Sequence, residues 1–374
     1  MKVIHIITGL NNGGAEGVLY RLCKYDNKHQ HIVISMMDEG KYGSLLEDIG
    51  IDVYCLNMPQ GRVSLSGLLR LFKLLRKYKP DVVQTWMYHA DLIGGVIAKF
   101  AGIKSVYWNI RSSDLDAITS KRSTWFVAKL CAKLSYLVPE AVVCCAQRAK
   151  EFHLHLGYKN NFVIIGNGYD LSELKPNSKL RTDFRNEFNI DDNQILIGMV
   201  ARYDAQKDHL NLINSLRIVK DKGYKFKCLL VGRDLNSNNS VIVSAINDCM
   251  LCHDIMLLDQ RSDIQKVMNG LDIHILSSAY GEGFPNAVAE SMSCGTPNIV
   301  TDVGDAGLIV GDTGIVVIPR SSTDLADAIS NLLNTIIRDP EKWSEICVNA
   351  YKRARDNFDI NIMVINYHSV WGFK

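Results

Sequence analysis

No apolar run in the 374-residue chain reaches the roughly 18 residues that a membrane-crossing helix needs, so none is expected. A strong charge of one sign is also missing. The formal net charge is +2, which argues against a dedicated nucleic-acid binder. No segment repeats at solenoid periods and none is of low complexity, which excludes a repeat array. Met1 leads straight into the strand-like run 3–7, so no secretory signal peptide is expected. Metal-type cysteine spacing is absent as well. The 10 cysteines include one CxxC, Cys249 and Cys252, in a stretch that reads as helix, with no second pair to complete a zinc site. They read as reduced thiols of a cytoplasmic protein.

What remains is an ordinary globular composition, 47% hydrophobic and 22% charged, in a chain long enough for two domains. Short apolar runs at 3–7, 31–36, 52–56, 82–85, 105–110 and 141–144 alternate with helical patterns, among them 65–78, 92–100 and 124–137. The same alternation resumes at 195–200, 228–232, 255–258, 271–276 and 298–301, with helices at 210–220 and 325–337. Such a chain predicts two doubly wound α/β domains facing across a cleft. The polar stretch 176–193 reads as the linker. The expected division is 1–180, 190–355, and a closing helix in 356–374 that crosses back to the first domain.

The stretch 280–297, YGEGFPNAVAESMSCGTP, organises the second half. It follows the buried strand 271–276. Pro285 fits the first turn of a helix, where its missing N–H is no loss. Glu282 then lies in the loop before that helix and Glu290 about one and a half turns in. A helix N-terminus suits a phosphate. Upstream, Arg202 and Lys207 stand five apart from the end of strand 195–200, so both can converge on one diphosphate. In the first half, strand 3–7 runs into a glycine loop, Gly9 to Gly14, and a helix. The spacing is not that of a dinucleotide fingerprint, although Asp38 and Glu39 would suit a ribose there. His89 stands at the carboxyl end of strand 82–85, where a cleft residue that touches substrate would sit, although a lone histidine is more often structural.

The pattern E-G-F-P, a second Glu eight positions on, then S-M-S-C-G-T-P resembles the donor-site signature of retaining glycosyltransferase family 4, with its GT-B fold. Supporting blocks follow in family order: G-G-A-E at 13–16, V-I-I-G-N-G-Y-D at 163–170, and Arg and Lys at 202 and 207. The resemblance implies transfer of a sugar, with retention, from a nucleotide diphosphate sugar to a hydroxyl of a glycan or lipid-linked acceptor, as in O-antigen or capsule assembly. It implies Arg202, Lys207 and Glu282 as catalytic residues. Gly14, Gly283, Phe284, Asn286, Ala287 and Glu290 would bind substrate, with Glu290 on the ribose and Gly14 in the loop facing the donor phosphates. The donor would be a UDP-sugar, with no metal and no other cofactor. Two positions depart from the family: Asp208 and Asp259 stand where relatives carry Gly. Where many relatives have a histidine near 109–111, this chain has Asn109 and Arg111.

Asp114 and Asp116 form a D-x-D, the metal motif of the other large glycosyltransferase fold, and read here as a solvated loop. Two rival functions share the fold expectation: a nucleotide-sugar epimerase and a non-catalytic sugar-nucleotide binder. Finally, Arg62, Arg70, Lys73, Arg76, Lys77 and Lys79 occur between 61 and 80 without an acid. Arg70, Lys73 and Lys77 share one helical face, with Leu65, Leu68, Phe72 and Leu75 expected toward the core. A second basic and aromatic run holds Lys121, Arg122, Trp125, Phe126, Lys129 and Lys133. These faces suit either an ordinary solvated basic surface or peripheral attachment to an anionic membrane surface on its cytoplasmic side.

Overall fold

A computed structural model describes residues 1–112 and 122–372. They form two compact units. Met1–Gly168 and the stretch from Ile360 make the first, and Tyr169–Asp359 the second.

The first unit is a seven-stranded parallel sheet. Its strands are β1 (Lys2–Ile7), β2 (Gln30–Ser35), β3 (Asp52–Cys55), β4 (Val82–Trp86), β5 (Val106–Ile110), β6 (Ala141–Cys144) and β7 (Phe162–Ile164), in the order β3-β2-β1-β4-β5-β6-β7. β4 and β5 are wholly buried, as strands covered by helices on both faces must be. Leu71, Leu75, Ala98 and Ala128 cover one face, from helices Leu65–Tyr78, Tyr88–Phe100 and Arg122–Leu134. Leu19, Leu22, Ile360, Met363 and Tyr367 cover the other, from helices Gly14–Tyr25 and Ile360–Val370.

The second unit is a six-stranded parallel sheet. It contains β8 (Leu196–Val200), β9 (Lys227–Val231), β10 (Ile255–Leu258), β11 (Ile273–Leu276), β12 (Asn298–Thr301) and β13 (Ile315–Val317), in the order β10-β9-β8-β11-β12-β13. In both sheets the winding reverses once, between β1 and β4 and between β8 and β11. These switch points open a crevice at the carboxyl ends of the strands, where doubly wound folds bind ligands.

Two local expectations are corrected. The stretch 176–193 is not an open linker: it holds helix Ser178–Glu187, packed into the second unit through the fully buried Phe184. Its polarity has a structural use. Arg185 donates to the Gly270 carbonyl at 3.0 Å and Arg181 to Asp272 at 2.6 Å, and Asp272 accepts the Leu196 N–H that starts β8. The CxxC is not inside a helix either. Helix Ser240–Asp248 ends just before Cys249, and Cys252 lies in the turn beyond. All ten cysteines are free.

Candidate active site

The two loops that border the second switch point carry the predicted donor residues. After β8, Arg202 extends into solvent, its Nε 3.2 Å from Asp204 Oδ2 and its Nη2 3.2 Å from Gln206 Oε1. Gln206 in turn donates to the Gly281 carbonyl at 2.8 Å, and its own carbonyl accepts from Ala279 N–H at 2.8 Å. The cation-bearing loop is thereby tied to the loop after β11. The sequence pattern did not single out Gln206, since a lone amide carries no charge or spacing signal.

Lys207 Nζ meets Glu282 Oε1 at 2.5 Å, and the Ser278 hydroxyl donates to the same oxygen at 2.5 Å. Both charged side chains are largely buried, with 13% and 7% exposure. Burial of this ion pair keeps both groups fixed and poorly screened. Gly304 sits behind it with φ 58°. A Cβ there would lie 2.0 Å from the Glu282 carbonyl oxygen, so only glycine lets the 302–305 loop back the Glu282 loop. Asp305 N–H donates to the Gly283 carbonyl at 3.1 Å and completes that backing.

Helix Asn286–Ser293 begins directly after Glu282, Gly283 and Phe284. Pro285 is its N-cap, one position before the first-turn place expected for it, and no side chain caps the helix. The backbone N–H groups of Asn286 and Ala287 therefore belong to an N-terminus with its partial positive charge turned to the switch point. The Asn286 side chain is held by the Tyr169 hydroxyl at 2.5 Å, and Phe284 packs edge-on against Phe358 with centroids 5.5 Å apart. Glu290 lies in the second turn of the helix, half-buried. A further cation appears that the sequence did not advertise. Arg320 lies over the Tyr280 ring at 6.0 Å, at the loop after β13.

Asp208, where relatives carry Gly, adopts the left-handed conformation at φ 50° that explains the family glycine. Its side chain caps helix His209–Asp221 by accepting from Asn211 N–H at 3.3 Å. The departure is thus accommodated without loss of the loop. Asp259 is exposed and bonded to Asn236 at 3.0 Å. Two histidines underlie the site: burial and the Lys207 charge push His209 down to about 4, and burial pushes His274 down to about 4. Both are neutral at neutral pH and carry no charge to a diphosphate.

In the first unit, Gly13 is the N-cap and Gly14 the first residue of the helix after the glycine loop. A Cβ on Gly14 would meet nothing within 4 Å, so space is open beside it. His89 is the second residue of helix Tyr88–Phe100, directly beyond β4. With Thr8, Met37, Arg62 and Ile93 it lines a pocket of about 280 Å³, and burial lowers its pKa. A larger cavity of about 770 Å³ lies at the amino ends of β8 and β9, lined by Lys220, Lys225 and Lys227, on the edge opposite the donor residues. Asn109 and Arg111 are engaged within the first unit. Both bond to the Tyr367 hydroxyl, at 2.7 and 2.6 Å, and so anchor the C-terminal helix. Asp114 and Asp116 lie outside the described residues.

The chain is similar to known glycosyltransferases. Residues 180–353 match the family model for glycosyl transferases group 1, and residues 12–173 the model for glycosyltransferase family 4. The chain belongs to glycosyltransferase family 4, and its two Rossmann-like sheets are those of the GT-B fold. It is 26% identical over 351 residues to the Staphylococcus aureus capsular polysaccharide biosynthesis glycosyltransferase CapM, covering 91% of this chain and 84% of CapM. It is 24% identical over 250 residues to the Escherichia coli UDP-Gal:alpha-D-GlcNAc-diphosphoundecaprenol alpha-1,3-galactosyltransferase, covering 66% of this chain and 64% of that enzyme. Among solved structures, Anabaena HepE in complex with UDP superposes with a TM-score of 0.86 at 22% identity, over 100% of both chains.

Proposed function

We propose that the chain transfers a hexose, with retention, from a UDP-sugar to a hydroxyl of a lipid-linked or glycan acceptor of surface-polysaccharide assembly. The observation that carries this reading is the convergence of Arg202, Lys207, Glu282 and an uncapped helix N-terminus at one switch point. The UDP-bound HepE structure and the relatives named above support the choice of donor and acceptor class.

The chemistry follows from charge. As the glycosidic phosphate bond breaks, the diphosphate gains negative charge and the sugar becomes oxocarbenium-like. Arg202, Lys207 and the N–H groups of Asn286 and Ala287 stabilise the departing diphosphate. Glu290 accepts hydrogen bonds from the ribose hydroxyls. Glu282 and the Gly283 and Phe284 backbone orient the sugar. No separate protein nucleophile is needed when the leaving phosphate oxygen takes the acceptor proton on the same face. The pocket around His89 takes the acceptor.

The deciding experiment incubates the protein with several UDP-hexoses, with and without a polyprenyl-diphosphate-linked sugar. A transferase yields a new glycoside only when acceptor is present, and NMR of its anomeric proton reports retention. Release of an altered sugar without acceptor would instead identify an epimerase, and binding without any product a silent binder. Full rate is expected in buffer free of Mg²⁺ and Mn²⁺, because Arg202, Lys207 and the helix N-terminus carry the phosphate charge. A rate that appears only on adding either ion would return Asp114 and Asp116 to the site.

The acceptor class gives membrane attachment a purpose. No helix among the described residues is long and apolar enough to cross a membrane. Helix Leu65–Tyr78 differs from expectation on its apolar side. Gly67, Leu71 and Leu75 are buried, whereas Leu65, Leu69 and Phe72 are exposed, beside exposed Arg70, Lys73 and Lys77. Helix Tyr88–Phe100 packs against both this helix and Arg122–Leu134, so the two basic helices lie on one side of the first sheet. Phe126 on the second is also exposed. Each basic residue contributes about 1 kcal/mol near an anionic surface, and exposed leucines add insertion. Co-sedimentation with anionic liposomes at low salt is expected, weaker at high salt. Changing Arg70, Lys73 and Lys77 to Glu should abolish it, and equal partitioning of both proteins would remove the proposal.

A further inference from the structure

We propose that the first unit holds a divalent transition-metal ion of the zinc class between Asp26, His29 and His368. Asp26 closes helix Gly14–Tyr25, His29 precedes β2, and His368 lies on the C-terminal helix Ile360–Val370. The three come from opposite ends of the chain, and all three are buried. Their ligand atoms lie within 4.8 Å of one another. Asp26 Oδ2 is 2.8 Å from His29 Nδ1 and 2.9 Å from His368 Nε2.

A third imidazole reaches the same oxygen. His31 Nε2 stands 3.1 Å from Asp26 Oδ2. Its tautomer follows from the residues behind it. The Trp86 indole N–H can only donate, and it donates to His5 Nδ1 at 3.2 Å. Neutral His5 therefore carries its proton on Nε2 and donates to His31 Nδ1, 2.9 Å away. His31 then carries its proton on Nε2, turned to Asp26 Oδ2. This relay keeps Asp26 an oriented carboxylate, the support a ligating acid needs from behind. Asp26 Oδ1 is held separately by Lys28 N–H at 3.0 Å.

Three imidazole nitrogens thus face one carboxylate oxygen that has two lone-pair sites. As N–H donors they would compete for it. An ion at their common focus resolves the competition, because it takes lone pairs from both imidazoles and from the carboxylate. Two histidines and a carboxylate are a borderline-soft donor set suited to zinc, with a fourth position for water. Bonds of about 2.0–2.2 Å in a tetrahedral arrangement place ligand atoms about 3.3–3.5 Å apart, so the set needs to open by about half an ångström. Trp371 walls the site, its ring 5.8 Å from that of His29 and 6.2 Å from that of His368. The ion would staple the C-terminal helix to the first αβ turn, on the sheet face opposite the basic helices.

The test uses the full chain, stripped with chelator and dialysed, titrated with Zn²⁺ and separately with Co²⁺. One saturable equivalent is expected, with visible Co²⁺ absorption of an N/O-ligated site and a melting temperature that rises with free zinc. His31→Gln should weaken binding by roughly 10- to 100-fold, and His29→Gln and His368→Gln by more, since they lose a ligand rather than its support. His253→Gln, at an exposed position in the second unit, should leave it unchanged. Absence of a saturable equivalent in the native chain overturns the proposal, as does unaltered affinity in both ligand variants. If a glutamine variant fails to fold by circular dichroism, the cobalt spectrum and stoichiometry of the native chain decide alone. Glycosyl transfer enters none of these readouts.

Discussion

Lys207→Ala and Arg202→Ala are each expected to lower kcat by roughly 10²–10³-fold, the size found when one preorganised charge-stabilising donor is lost. The two variants should differ in a second readout. Lys207 is the cation of a largely buried pair, so its removal leaves Glu282, its side chain 7% exposed, as a carboxylate held among the described residues by Ser278. Stranding a buried charge is costly, and a lower melting temperature should accompany the lost rate. Arg202 is about half exposed and its loss strands nothing buried, so its variant should melt like the native chain. Steady-state rates at saturating donor, with melting curves alongside, test both halves. Near-normal turnover in both variants would falsify the diphosphate assignment.

Glu282→Ala is expected to act on kcat and Glu290→Ala on donor KM. Contacts to the ribose are equally good before and during bond cleavage, so losing them weakens binding uniformly. Hydrogen bonds to a charged group are worth about 1.5–3 kcal/mol, which corresponds to a KM raised by about 10- to 150-fold in Glu290→Ala. In the proposed mechanism Glu282 orients the sugar, and its partner Lys207 is one of the diphosphate cations. Removing it disturbs both at the moment charge develops, so a kcat lower by about 10²-fold or more is expected. The 2.5 Å Lys207–Glu282 contact adds a specific consequence. The pair has to share Lys207 with incoming diphosphate, so Glu282→Gln should bind UDP at least as tightly as the native chain while still turning over slowly. A donor KM unchanged in Glu290→Ala, or a near-native kcat in Glu282→Ala, would count against this division of roles.

Much of this site is legible in the amino-acid order, for local reasons. Strands covered on both faces must be apolar throughout, so β4, β5 and β11 announce themselves. The loop that follows such a strand and opens a helix must supply glycine and backbone N–H groups, which is what Gly281, Gly283 and Pro285 mark. Helix Leu65–Tyr78 is legible as a helix but not in its orientation. Its apolar residues ring more than half the wheel, and only the neighbouring helix decides that Leu71 and Leu75 turn inward while Leu65, Leu69 and Phe72 stay out. Residues 176–193 mislead because charge density signals solvent in general. Here guanidinium groups are spent on the backbone carbonyls of Gly270 and Leu271, just before β11.

The order of residues by itself determined the two parallel sheets, the donor signature and the candidate identities of Arg202, Lys207, Glu282 and Glu290, because each depends on neighbours within one strand–loop–helix unit. Only the tertiary structure decided which groups meet. Gln206 ties two loops through the Gly281 carbonyl, and Gly304 is required by the carbonyl of Glu282. Asn109 and Arg111 meet at the Tyr367 hydroxyl, on the C-terminal helix. The convergence of Asp26, His29 and His368 is the extreme case. No spacing rule relates residues that a C-terminal helix carries back to the first αβ turn, because their proximity is set by sheet packing and not by the path of the chain.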